Sequence, residues 1–293
     1  MKTLKIKNKK IVKTFAIQLT ALLSVLLLVF SGIGCLGQNA GDSSVVLSGS
    51  TSVLPLAQTL SETYMNAHNE TLLSVKGGGS GTGIAELIDG SNDIAMSSRE
   101  IKDSETADAN AKGIEPVEYE IAKDGIAVIV HPSNPVSRLT LDQLQKIYSG
   151  EIKNWKDVGG EDAEIAAIAR DSASGTQEFF NEAVMNGTEF RADLITQAAT
   201  GAVTQEVTQN SKAIGFVGAA YQSNSIKTLG IETNETTVMP TEENILSGVY
   251  PLSRGLYLYT DKNPKQEALD FIRFILSADG QKIVSETGYA PVN

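Results

Sequence analysis

Three short stretches rich in glycine and hydroxyl side chains each stand where an apolar β-type run gives way to a helical one. They are Ser48-Gly49-Ser50-Thr51-Ser52, Gly77-Gly78-Gly79-Ser80-Gly81-Thr82-Gly83 and Arg170-Asp171-Ser172-Ala173-Ser174-Gly175-Thr176. A strand–turn–helix unit repeated along a chain packs as α/β layers, and the strand ends of such layers line a common crevice. A fourth turn, Ser97-Ser98-Arg99, is poorer in glycine but sits in the same context.

Periodicity fills in the elements between the turns. Strands are expected over 45–47, 72–75, 93–96, 125–130, 165–169, 213–217 and 256–259, where apolar and β-branched residues run together. Helices are expected over 53–65, 84–88, 141–148 and 177–184, and a last one carries Ala268, Phe271, Ile272 and Ile275 on one side. The alternation predicts α/β layers with mostly parallel strands. Residues 124–135 and 249–260 read as long extended passages that can cross between two lobes.

The turns share one chemistry. Unpaired N–H groups and a partial positive charge gather at a helix start. Glycine lets the backbone come close to a bound group. Ser and Thr add donors without charge, and Arg99 and Arg170 offer planar forks that match a tetrahedral oxyanion. A single such turn is an ordinary helix cap. Three of them with two arginines describe a dehydrated anion site.

The N-terminus is of another kind. Lys2, Lys5, Lys7, Lys9, Lys10 and Lys13 precede an apolar run from Ala21 to Phe30, then Ser31-Gly32-Ile33-Gly34-Cys35. This is the layout of a secretory signal, expected over residues 1–34. The apolar run is short for a membrane span. Cys35 is the sole cysteine, so no intramolecular disulfide can form, and its place after the signal core suggests an acylated lipoprotein cysteine. Gly32 stands where a lipobox usually has Leu. Residues 35–43, small and polar, read as a flexible tether.

Loss of the six leader lysines from 24 basic residues leaves 18 against 35 acidic ones, a net charge of −17. No nucleic acid partner is expected of such a surface. An anion must then be held by local groups, because the overall field repels it.

Enzyme patterns are missing. The run from Gly77 to Gly83 lacks the Gly-Lys-Ser/Thr ending of a nucleotide-hydrolase loop and the spacing of a dinucleotide fingerprint. No Gly-x-Ser-x-Gly elbow is present, and His68 and His131 have no evident partners for base catalysis. No cluster of His, Cys and carboxylate suggests a metal, and no cofactor is expected. Tyr148 and Trp155 read as packing aromatics near a helix end.

Taken in order, these pieces resemble the PstS family, the substrate-binding proteins of phosphate ABC importers. The resemblance spans about residues 45–293. It rests on Gly49-Ser50-Thr51-Ser52 with Pro55, Gly79-Ser80-Gly81-Thr82-Gly83-Ile84, and Asp93-Ile94-Ala95-Met96-Ser97-Ser98-Arg99. Ile147-Tyr148-Ser149-Gly150 with Asn154-Trp155, and Arg170 with Ser174-Gly175-Thr176, complete it. It implies a two-lobed, type II periplasmic-binding-protein-like α/β fold, each lobe a mixed sheet flanked by helices, with a hinge of two crossing segments. The lobes would be 44–124 with 255–293, and 125–254. It further implies no catalysis, inorganic phosphate held in the interlobe cleft, delivery to an ABC importer permease, and a lipid anchor on the extracytoplasmic face of the membrane.

Carried over by position, the phosphate contacts implied are Ser50, Thr51 and Ser52 in the first turn and Ser80 in the second. Ser98 and Arg99 follow in the fourth turn, and Arg170, Ser174, Gly175 and Thr176 in the third. Some members carry an Asp where this chain has Ser98, and that Asp accepts a proton from the ligand. Ser98 discriminates less by charge. The alternative ligand is therefore another tetrahedral oxyanion, such as sulfate, molybdate or arsenate. Asp171 and Glu100 are the nearby carboxylates that can supply an acceptor.

Overall fold

Parallel strands β1 (Ser44–Gly49), β2 (Leu72–Gly77) and β3 (Ile94–Ser97) lie side by side, so the turns that follow them open on one edge. The computed structural model describes residues 44–234 and 236–292. The expected leader, the tether and Cys35 lie outside the described residues.

The long strand β4 (Pro116–Val130) is shared between two sheets. Residues 116–125 pair with β11 (Ser253–Asp261), which in turn pairs with β3. Residues 126–130 pair with β8 (Ala213–Gly218) and 128–130 with β9 (Lys227–Thr233). Beyond β8 come the parallel strands β6 (Ala166–Arg170) and β7 (Ile195–Gln197). The short strands β5 (Arg138–Thr140) and β10 (Thr236–Val238) flank β9.

Each sheet has its own core. In the first lobe the helix Leu54–Ala67 buries Leu56, Ala57, Leu60 and Tyr64, one stripe at helical spacing. That stripe packs with Phe271, Ile272 and Ile275 of the helix Gln266–Leu276 over Leu47, Ile94 and Met96. In the second lobe Tyr148, Phe180 and Phe216 form the centre, with Phe180 and Phe216 stacked at 4.0 Å. Trp155 is buried beside them and donates its Nε1–H to Lys212 O at 2.9 Å. Burial of these faces is the main driving force for both lobes.

The architecture is two-lobed and α/β, as the resemblance implies. Its strand pairing is mixed, not mostly parallel as alternation alone suggests. β11 runs antiparallel to β3 and β4, and β4, the strand common to both sheets, runs antiparallel to β8 and β9 as well. β4 also begins nine residues before the expected 125, since its first half alternates Val117, Tyr119 and Ile121 with Glu118 and Glu120 and has no continuous apolar run. The helix expected at 84–88 starts at Ser80, inside the glycine run, where glycine masks the helical pattern. The helix expected over 177–184 runs from Gly175 to Phe180 and widens into a π turn over Asn181–Met185. A further C-terminal helix, Ala278–Glu286, follows the last expected one, with Ser277 Oγ capping Gly280 N.

Candidate functional site

Glycine geometry brings the turns together. Gly49 has φ +135°, and a Cβ there would collide with Met96 O. Gly79 has φ +100°, and a Cβ would come within 2.6 Å of Ala173 O in the opposite lobe. Next to it, Gly81 N donates to Ala173 O at 3.0 Å, a direct main-chain bond between the second and third turns. A Cβ on Gly175 would strike Ser80 Oγ and lie 2.9 Å from Ser98 Oγ.

Four hydroxyls from both lobes converge. Ser52 Oγ is 2.8 Å from Thr176 Oγ1 and 3.4 Å from Thr200 Oγ1. Thr51 Oγ1 is 3.0 Å from Thr200 Oγ1. Ser52, Thr176 and Thr200 are almost wholly buried. The backbone of the first turn is pinned: Tyr221 Oη donates to Thr51 O at 2.5 Å and Tyr289 Oη to Ser52 O at 2.7 Å. Ser80 Oγ accepts from Ser98 N at 3.1 Å and lies 3.3 Å from Ser98 Oγ, so the second and fourth turns form one wall.

Arg170 stands behind the hydroxyls, at the end of β6. Its Nη1 donates to Thr200 Oγ1 at 2.9 Å, and its Nη2 to Thr51 Oγ1 at 3.1 Å and Ala198 O at 3.0 Å. Nε donates to Gln197 O at 3.1 Å. Every one of these partners is neutral, although the residue is only 4% exposed. Burial pulls the Arg170 guanidinium down to about 10; nearby Asp171 opposes that shift and Arg254 adds to it. An ionised group deprived of water in this way is a strong attractor for an anion.

Two other site candidates hold their own turns. Ser50 Oγ accepts from Ser52 N at 3.2 Å and Val53 N at 3.4 Å. Ser174 Oγ accepts from Gln177 N at 3.3 Å, the ordinary work of a helix cap. Arg99 has a different engagement from Arg170. Its Nη1 and Nη2 donate to the two carboxylate oxygens of Glu105 at 2.8 and 2.6 Å, and its Nε lies 2.5 Å from Glu178 Oε2. The two histidines make local contacts: His68 stacks on Tyr64, and His131 Nδ1 meets Ser133 Oγ.

Sequence reading missed Thr200 and Arg254. Thr200 opens the helix Thr200–Gln209 just after β7, beside the end of β6, but its Ala-Ala-Thr-Gly setting lacks a hydroxyl cluster. Arg254 reaches the site from β11. Its Nη1 donates to Thr176 Oγ1 at 3.0 Å and Ser98 O at 3.2 Å, and its Nη2 to Asp124 Oδ2 at 2.9 Å. Asp124 Oδ1 in turn accepts from Ala219 N at 3.0 Å. The available signal was a pair of opposite charges, one in each crossing segment.

The chain matches the PBP superfamily domain model over residues 37–279. It is 34% identical to the phosphate-binding protein PstS of Staphylococcus saprophyticus, over 91% of this chain and 86% of that one. Among solved structures it is similar to a putative phosphate ABC transporter substrate-binding protein with bound phosphate from Clostridium perfringens. That match has a TM-score of 0.79 and 34% identity, covering 85% of this chain and 100% of the other. An ABC-type phosphate transport receptor from Vibrio cholerae matches with a TM-score of 0.68 and 34% identity, covering 84% and 99%. With a family model across most of its length and relatives of this identity and coverage, the chain belongs to the PstS family of the PBP superfamily.

Proposed function

We propose that this protein binds inorganic phosphate between its lobes and delivers it to an ABC importer on the extracytoplasmic side of the membrane. It is a binding protein and not an enzyme, like the relatives it resembles. The observation that carries the reading is Arg170: a buried cation with only neutral partners, set behind four convergent hydroxyls. The similarity to a Clostridium perfringens protein with bound phosphate supports the choice of anion.

In this reading Thr51, Ser52, Thr176 and Arg170 contact the anion, with Thr200 added to the set. Ser80, Ser98 and Gly175 form its other wall, and Ser50 and Ser174 hold the turns in shape. An anion entering between Thr51 and Ser52 on one side and Thr176 and Thr200 on the other replaces hydroxyl–hydroxyl contacts with charge-assisted bonds, which are about twice as strong. The lobes, 44–124 with 255–293 and 125–254, part about Asp124 and Arg254. Cleavage after residue 34, acylation of Cys35 and a tether over 35–43 would hold the protein at the membrane.

Calorimetry on the exported protein tests the reading. Phosphate should bind with a Kd of about 1 μM or tighter, about −8 kcal/mol or more. Heat with sulfate, molybdate or arsenate but none with phosphate would replace the ligand; no heat with any of the four would end the proposal. Mass spectrometry of the N-terminal peptide from the membrane fraction decides the acylation.

A further inference from the structure

Arg99 stands next to Ser98 in the wall of the site, yet its guanidinium turns to carboxylates. Glu105 grips two of its nitrogens and also accepts from Lys102 N at 3.0 Å, so Arg99 and Lys102 are held in one frame on the first lobe. The third nitrogen meets Glu178 of the second lobe at 2.5 Å. Lys102 Nζ reaches the other oxygen of the same carboxylate, Glu178 Oε1, also at 2.5 Å. One carboxylate thus bridges two cations across the lobes.

The chain positions matter. Glu178 follows Thr176 by two residues in the helix Gly175–Phe180, and its N–H donates to Ser174 O at 3.1 Å. Arg99 follows Ser98 directly. Each half of the ion-pair cluster is therefore rigidly joined to a turn of the site on its own lobe. Any motion that separates those turns also pulls Glu178 from Arg99 and Lys102.

The cluster forms one wall of a cavity of about 600 Å³ that also meets Glu100, Asp103, Glu182 and Tyr257. Arg99 and Glu178 are 9% and 19% exposed, and Lys102 is 48% exposed. The inner pair is shielded and the outer one is open to salt. Charge closes within the cluster: two cations face two carboxylates. With the lobes apart, Glu178 loses both cations and is left beside Glu182, while Arg99 keeps Glu105.

We infer that Glu178, Arg99 and Lys102 are a latch across the lobes, positioning residues that set how long the bound anion stays. The inference rests on the phosphate reading above. It gives Arg99 a different task from that of Arg170: it stabilises the closed arrangement and does not touch the anion.

Stopped-flow and equilibrium binding with inorganic phosphate on the exported protein provide the test. Glu178→Gln should raise the dissociation rate about tenfold and leave the association rate within about twofold, as expected for loss of a partly shielded pair. Added salt should speed release from the wild type and much less from Glu178→Gln. Arg99→Gln should have little further effect once Glu178 is Gln, the mark of a shared interaction. Glu178→Asp should recover part of the slow release. An unchanged dissociation rate in Glu178→Gln, with phosphate binding intact, overturns the latch. A full, additive loss from Arg99→Gln in that background would make Arg99 an anion contact and overturn its assignment here. Absence of phosphate binding by the wild type strikes the functional reading instead. The latch is then judged by small-angle scattering: a larger radius of gyration for Glu178→Gln supports it, and an unchanged one removes it.

Discussion

Arg254 and Asp124 are register partners on the antiparallel strands β11 and β4, and their side chains pair at 2.9 Å where the two lobes join. Both side chains are nearly inaccessible to water. The pair does not end with itself. Through Arg254 it holds Thr176 of one lobe and the Ser98 carbonyl of the other, and through Asp124 it holds the Ala219 amide.

Breaking that pair should cost more stability than removing any one hydroxyl of the site. Asp124→Ala leaves a buried guanidinium uncompensated, which destabilises by about 3–5 kcal/mol. Urea unfolding followed by circular dichroism measures it. A loss under about 1 kcal/mol would mean that water reaches Arg254 in solution.

Arg170→Met should separate binding from folding. It removes the one buried cation with only neutral hydrogen-bond partners among the described residues, so phosphate affinity should drop by about 2–5 kcal/mol. Its effect on the urea midpoint should be smaller than that of Asp124→Ala, because no charge is stranded. Calorimetry and unfolding on the same preparation make the comparison. Equal affinity losses from Arg170→Met and Ser52→Ala would argue against a special place for the guanidinium.

The depressed Arg170 pKa has a consequence at high pH. Free protein loses the Arg170 proton around pH 10, whereas a bound anion holds that proton on. Binding above that pH therefore takes up a proton, and affinity falls as pH rises. The fall approaches about tenfold per unit, since one unit of pKa difference is worth 1.36 kcal/mol. Below pH 10 the group is charged in both states and contributes no slope. Calorimetry with phosphate from pH 8 to 11, repeated in buffers of different ionisation enthalpy, measures both the slope and the proton taken up.

Gly175→Ala tests the close approach of the third turn to the second. The new methyl would meet Ser80 Oγ, so the lobes should close imperfectly and affinity should fall by about 1–3 kcal/mol. Adding Ser80→Ala should recover part of the loss by removing the struck atom. If the single variant binds like the wild type, the two turns are further apart in solution.

Much of the site was readable because its residues cluster along the chain. Gly49 to Ser52, Ser80 and Arg170 to Thr176 are short runs whose glycines and hydroxyls mark them, and the structure brings them to one place. Thr200 was not readable, because its part depends on β6 and β7 lying parallel so that Gln197 and Arg170 end together. Arg99 and Arg170 look alike as arginines at strand ends. Only tertiary structure tells them apart, since Glu105 and Glu178 reach Arg99 from six and 79 residues away. The mixed pairing of β4 and β11 was equally hidden, because strand direction leaves no mark on a run of apolar residues.

β4 enters one sheet at Pro116 and leaves the other at Val130 without a break. A change in the angle between the lobes must then be absorbed as twist within a hydrogen-bonded strand, and not as free rotation in a loop. Such a link would act as a torsion spring, with a rest angle set by the strand's own twist.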